Sequence, residues 1–357
     1  MYTEDDLRGA VASGALSAEA ADALRQHVRG ARTAPATDEE HFRLVNSFND
    51  IFVTIAAVLL LVAMAGIGQA FTPALDGPPP FSGVLIAGAA WTMAEFFTRK
   101  RRMALPSIVL LLAFVGGVFE TLLGFTIMAF DQPDTNKTLA AVLVAGCALI
   151  TAGAAFVHWR RFMVPITVAA GSAAVAATGI ALIVAAIGPD NVQPDTVLMP
   201  LVFAAGIAIF LFAMRWDTSD GERRTRRSDV AFWLHLLAAP MIAHPLFHWI
   251  GVTQGQDIGA GAAVAVLVVY IAMGLVALAI DRRALLVSAL AYVLATLTWL
   301  FDRFGAVELN VALTALVIGS ALLTLSACWT PIRNAIVHQL PGTLQMRLPV
   351  AGTLAHA

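Results

Sequence analysis

An all-α, polytopic transmembrane bundle of about ten helices is the fold class the sequence predicts, and three observations predict it. The first is composition: of 357 residues 59% are hydrophobic and 13% charged, with a mean hydropathy of +0.79. Soluble domains carry roughly 25% charged residues, so a water-facing surface of this size is not available. The second is the presence of ten apolar stretches, each near the roughly 20 residues a helix needs to cross hydrocarbon. The third is the position of the basic residues, which recur at every second break between those stretches.

The stretches lie near 51–70, 81–98, 104–130, 138–157, 162–187, 196–215, 230–250, 259–280, 284–301 and 311–330. Turn-forming breaks separate them, among them Asp76-Gly77-Pro78-Pro79-Pro80, Asp131-Gln132-Pro133-Asp134, Gly188-Pro189-Asp190-Asn191 and Thr253-Gln254-Gly255-Gln256-Asp257. With the N-terminus inside, every Lys and Arg except Lys137 and Arg303 falls on the inner side, as the positive-inside rule requires. The expected direction is therefore multi-pass with both termini cytoplasmic. Trp159, Trp216, Trp233, Trp249, Trp299 and Trp329 fall near span ends, where an interfacial belt places them, and Trp91 does not. Basic turns recur at Arg99-Lys100-Arg101-Arg102, Arg160-Arg161 and Arg282-Arg283. This recurrence fits either a duplicated two-span hairpin or the charge rule acting on short loops.

Residues 1–48 are expected to form a cytoplasmic helical hairpin and linker, 49–331 the bundle, and 332–357 a cytoplasmic tail. Thr3 to Ser13 reads as a helix with acids in its first turn, Gly14 as its stop, Ser17 as the cap of a second helix, and Thr33 to Glu40 as linker. No cleavable signal precedes the first span, which is expected to target the chain itself. The stretch Val11-Ala12-Ser13-Gly14-Ala15-Leu16-Ser17-Ala18-Glu19-Ala20-Ala21, set ahead of many short-looped spans, resembles the start of a bacterial class of multi-span predicted membrane proteins of unknown function. The resemblance covers about 25 residues. It implies a bacterial inner-membrane location and brings no catalytic residues with it.

The seventh stretch carries the richest chemistry. It holds His235, His244 and His248, three of the eight histidines, together with Pro240 and Pro245. Each proline removes a backbone N–H, leaving the carbonyls of Leu236 and Met241 without their helical donor, so a kinked or broken helix is expected there. His244 and His248, four apart, share a helix face and could hold a proton or a metal ion. Glu120 sits at matching depth in the third stretch, where an isolated carboxylate is costly. These residues make a candidate polar site of Glu120, His235, His244 and His248, with a helix break at Pro240 and Pro245.

Blander readings stand beside it. His248 next to Trp249 can lie at headgroup level, His235 can bond a neighbouring backbone, and Glu120 can be a neutral acid in a helix contact. Glu95 and Asp281 fall at inner span ends beside Arg99 and Arg282, which suits interfacial ion pairs.

The expected function is carriage of a small polar solute or cation through the bundle. Histidine-ligated metal or haem is an alternative, and a scaffold or sensor binding a cytoplasmic protein at the N-terminal hairpin is another. The lipid bilayer is the expected environment. A net charge of −2 gives no basic face for nucleic acid. No phosphate loop, zinc-protease helix motif or nucleophile elbow identifies an enzyme. No cofactor is expected, metal binding is left open, and Cys147 and Cys328 are too different in depth to pair.

Overall fold

The computed structural model describes residues 4–24, 48–73, 77–130, 136–220, 225–252, 260–303, 310–345 and 348, and among them there are helices and no strand. Residues Met1–Leu44 and Val45–Ala357 form two compact units. In the first, α1 (Glu4–Ala12) ends at Gly14, whose φ of +74° is open to glycine without a Cβ penalty. Residues 18–24 are again helical, with Ser17 Oγ accepting the Ala20 N–H at 3.1 Å. Leu7 and Ala21 are buried. The expected linker, Thr33 to Glu40, lies outside the described residues.

The second unit begins with α2 (Phe48–Gln69), α3 (Pro80–Ala94, extended by a π-helical turn Glu95–Lys100), α4 (Ala104–Phe130) and α5 (Lys137–Phe162). It continues with α6 (Ile166–Ile187), α7 (Met199–Thr218, entered through a π-helical turn Pro194–Leu198), α8 (Arg226–Trp249) and α9 (Ala260–Ile280). Then follow α10 (Ala284–Arg303), α11 (Asn310–Ala327), α12 (Trp329–Gln339) and a single turn, α13 (Gly342–Gln345).

The chain is a membrane protein: α2 to α9 are eight helices long and apolar enough to cross a bilayer. Among the described residues the total is eight, or nine if α11 and α12 form one bent span, rather than the ten expected. α10, 20 residues long, carries an apolar stretch at Ser288–Thr298, and Thr314–Ala327 meets Trp329–Gln339 at a 73° bend. The tail expected from 332 therefore starts inside α12, which buries Trp329, Arg333 and Val337. Trp329 begins α12 and is buried there, 6% exposed.

Three of the connections at the arginine-rich end are turns of three residues, at 101–103, 163–165 and 281–283, and each contains one left-handed non-glycine residue: Arg102, Met163 or Asp281. Turns this tight force α3 against α4, α5 against α6 and α9 against α10, and these pairs pack along their lengths. The basic recurrence in the sequence is thus a recurrence of turn geometry.

α8 is the helix on which the pairs converge. It packs on α6, α7 and α10, and among the described residues it is the most buried of the eight spans. Leu234, Ala238 and Ile242 face a cluster with Ile209 and Ala213 of α7, while Ala239, Ala243 and Phe247 face one with Val266, Ala277 and Val293 of α9 and α10. Small residues at four-residue spacing let neighbouring backbones close in. At Gly206 of α7 an added Cβ would lie 2.9 Å from Met241 Cβ and 3.0 Å from Met241 C. α8 also runs as one helix through Pro240 and Pro245, so the break expected at those residues is absent. A proline costs one N–H and leaves one carbonyl free, and inside a bundle neighbouring helices support such a site without breaking it. Pro240 is exposed and Pro245 buried.

Candidate functional site

The polar groups of α8 form two clusters, one toward each end. At the arginine-rich end α7 finishes with Asp217, the turn after α9 supplies Arg282, and the first turns of α8 supply Ser228 and His235. Asp217, His235 and Arg282 are 1%, 0% and 2% exposed. Arg282 donates to both carboxylate oxygens, Nη2 to Oδ1 at 2.5 Å and Nε to Oδ2 at 3.2 Å. This is the bidentate geometry that suits guanidinium and carboxylate. Nη2 also donates to the Ser228 carbonyl and hydroxyl, both at 3.1 Å. His235 Nε2 lies 3.1 Å from Asp217 Oδ2, and its ring meets the edge of Phe210 at 5.2 Å. A buried pair of this kind is tolerated only when its remaining donors and acceptors are matched, and here both Asp217 oxygens are.

Asp281, the residue before Arg282, turns the other way. Its Oδ1 accepts from Trp329 Nε1 at 2.6 Å and lies 3.8 Å from Arg333 Nε, while the Arg283 guanidinium stands 4.9 Å over the Trp329 ring. The expected Asp281–Arg282 ion pair is therefore replaced by two separate buried contacts. Adjacent residues in a three-residue turn project to different sides, so sequence neighbours become partners of different helices. The Glu95 expectation holds with an added partner: Arg99 reaches Glu95 at 3.3 Å, and Arg161 binds it through two nitrogens at 2.7 and 2.9 Å.

At the opposite end of α8, His244 Nδ1 lies 2.6 Å from Tyr292 Oη of α10. One turn further, His248 Nε2 lies 2.6 Å from Oδ1 of Asp195, in the turn before α7, and Trp249 Nε1 donates to the Asp195 carbonyl at 3.4 Å. The two imidazole rings are 6.2 Å apart, and Phe247 between them in sequence stacks on Tyr292 at 4.4 Å. The shared face predicted from the spacing is present. Each ring nevertheless engages a different helix, and among the described residues no group of three His, Cys, Asp or Glu is arranged to hold a metal ion.

The four sequence candidates do not form one cluster. His235 and His244 are nine residues apart, about 14 Å along the axis. Glu120 is partly buried on α4, whose neighbours are α2, α3, α5 and α6, and no hydrogen bond or ion pair joins it to His244 among the described residues. Equal depth fixes height in the membrane only; the order of helices around the bundle decides who meets whom. Sequence reasoning missed Asp217, Tyr292 and Asp195. A sign of Asp217 was present in the sequence: an acid two residues past Arg215, at the end of an apolar run.

A further histidine, His158 of α5, is buried among Phe162, Phe114 and Trp91, with ring centroids at 4.6, 5.5 and 5.9 Å. Its Nδ1 is 3.4 Å from Thr167 Oγ1, and Nε2 has no partner among the described residues. Trp91, out of place as an interfacial residue, is a wall of this aromatic box. Comparison of the chain with protein-family models, curated proteins and solved structures finds no match.

Proposed function

We propose that the protein carries a proton, cation or small polar solute across a bacterial inner membrane, with α8 as the helix that lines the path. One observation supports this above the rest: α8, the most buried span, bears a titratable cluster toward each end, His235 with Asp217 and Arg282, and His244 and His248 with Tyr292 and Asp195. Groups of this kind are expensive within a bilayer and collect along solute and proton paths. The two clusters would then serve as inner and outer sites of one route. The arginine-rich end would face the cytoplasm, because basic loops resist translocation. Both termini would then lie inside.

Proteoliposomes loaded with a pH-sensitive dye and challenged with a panel of cations and small polar solutes test the reading. A flux above that of empty vesicles is expected, reduced at least tenfold by His244→Ala and by His235→Ala in protein that elutes as a single species. A panel without any flux, or a flux indifferent to both changes, refutes it.

A further inference from the structure

α6 and α7 follow each other in the chain, yet each packs mainly elsewhere: α6 on α5, and α7 on α8. Between them, with α5 as the third wall, opens a groove of about 890 Å³. That volume is in the range of built ligand sites. Its walls are smooth because small residues recur at helical spacing, Gly171 and Gly179 on α6 and Ala204 and Ala208 on α7. Along α6 it extends from Thr167 to Ile183, about 24 Å at the rise of an α-helix, so an extended hydrocarbon chain fits lengthwise.

The two ends differ. At the arginine-rich end the lining becomes aromatic, with Phe156, Trp159, Phe212 and Trp216. The Trp159 and Trp216 indole N–H groups donate to no acceptor among the described residues, although both rings are partly buried. Arg160 is exposed, stands 6.0 Å over the Phe156 ring, and has no carboxylate partner among the described residues; Arg215, next to Trp216, is likewise exposed and without one. The arginines Arg161 and Arg282 contrast with these, since each is held by an acid. The groove thus joins a hydrocarbon-sized slot to a mouth with two unmatched indole N–H groups, with Arg160 over the lining Phe156 and Arg215 beside Trp216 in the chain.

We infer that this groove binds an anionic phospholipid, one acyl chain lying between α6 and α7 and the phosphate at the mouth with Arg160, Arg215, Trp159 and Trp216. Basic pockets between spans recognise anionic headgroups through charge, and tryptophan N–H groups sit at the depth of the lipid carbonyls. The inference does not depend on the carrier reading.

Native mass spectrometry and thermal stability of the purified full chain test it, with dioleoylphosphatidylglycerol and dioleoylphosphatidylcholine as probes. Wild type should retain one phosphatidylglycerol and prefer it at least tenfold over phosphatidylcholine. Gly179→Leu projects into the groove from a position where an added Cβ meets nothing within 4 Å, and an elution profile and thermal midpoint like those of wild type are expected of it. It should weaken both lipids at least tenfold. Arg160→Ala combined with Arg215→Ala should bring the two lipids within about twofold of each other while leaving phosphatidylcholine binding unchanged. Retained phosphatidylglycerol in Gly179→Leu, or a retained preference in the double arginine variant, overturns the assignment. A dimer in wild type that becomes a monomer in Gly179→Leu does so too, by showing that a second copy occupies the groove.

Discussion

Replacing Asp217 by Asn keeps the shape of the side chain and removes its charge, leaving the Arg282 guanidinium, 2% exposed, without a counter-ion. Removing one partner of a buried pair costs about 3–5 kcal/mol, because the remaining charge is neither hydrated nor matched. At about 2 °C per kcal/mol for a chain of this size, the apparent midpoint should fall by roughly 6–10 °C. The assay is size-exclusion of detergent-solubilised protein after graded heating. Glu95→Gln provides the control: it breaks an equally bidentate arginine contact, but one from which Arg161 can turn to water, and its shift should be far smaller. The combined change Asp217→Leu with Arg282→Met replaces the pair by apolar side chains and should recover most of the loss. If Asp217→Asn costs no more than Glu95→Gln, or if the double change is worse than Asp217→Asn alone, the idea that an unmatched buried charge sets the penalty is wrong.

Gly206→Leu forces a side chain into the 2.9 Å approach to Met241 and should destabilise by about 1–3 kcal/mol, whereas Gly146→Ala, where an added Cβ meets nothing within 4 Å, should be neutral or stabilising in the same heating assay. Orientation is read by thiol labelling in intact cells with a membrane-impermeant maleimide: Asp190→Cys should label and Ser219→Cys should not until the membrane is permeabilised. The reverse pattern would invert the proposed direction.

Parts of the site were legible because they are local. His244 and His248 share a face through helix periodicity alone, and Glu95 meets Arg99 for the same reason. The rest depended on which helices became neighbours. His235 finds Asp217 eighteen residues back across a loop, His244 finds Tyr292 forty-eight residues on, and Asp281 and Arg282 part company although adjacent. Glu120 and His244 have matching depth in the sequence, but α4 and α8 are not packed on each other. The helix runs on unbroken through Pro240 and Pro245 for a related reason. Proline's local rule foresees a lost hydrogen bond, while the surrounding helices decide whether the helix breaks.

By itself the sequence determined the solvent and the class of structure. In hydrocarbon every backbone group must bond within its own segment, so runs of apolar residues of span length become helices whatever their neighbours. It also determined where tight turns fall, since basic clusters and turn residues punctuate those runs. Only the tertiary structure decided the order of helices around the bundle, the central place of α8, the 73° bend between α11 and α12, the partner of each buried charge, and the groove left where α6 and α7 diverge. Those features depend on side-chain fit between segments distant in sequence, to which hydropathy, the same on every apolar face, is blind.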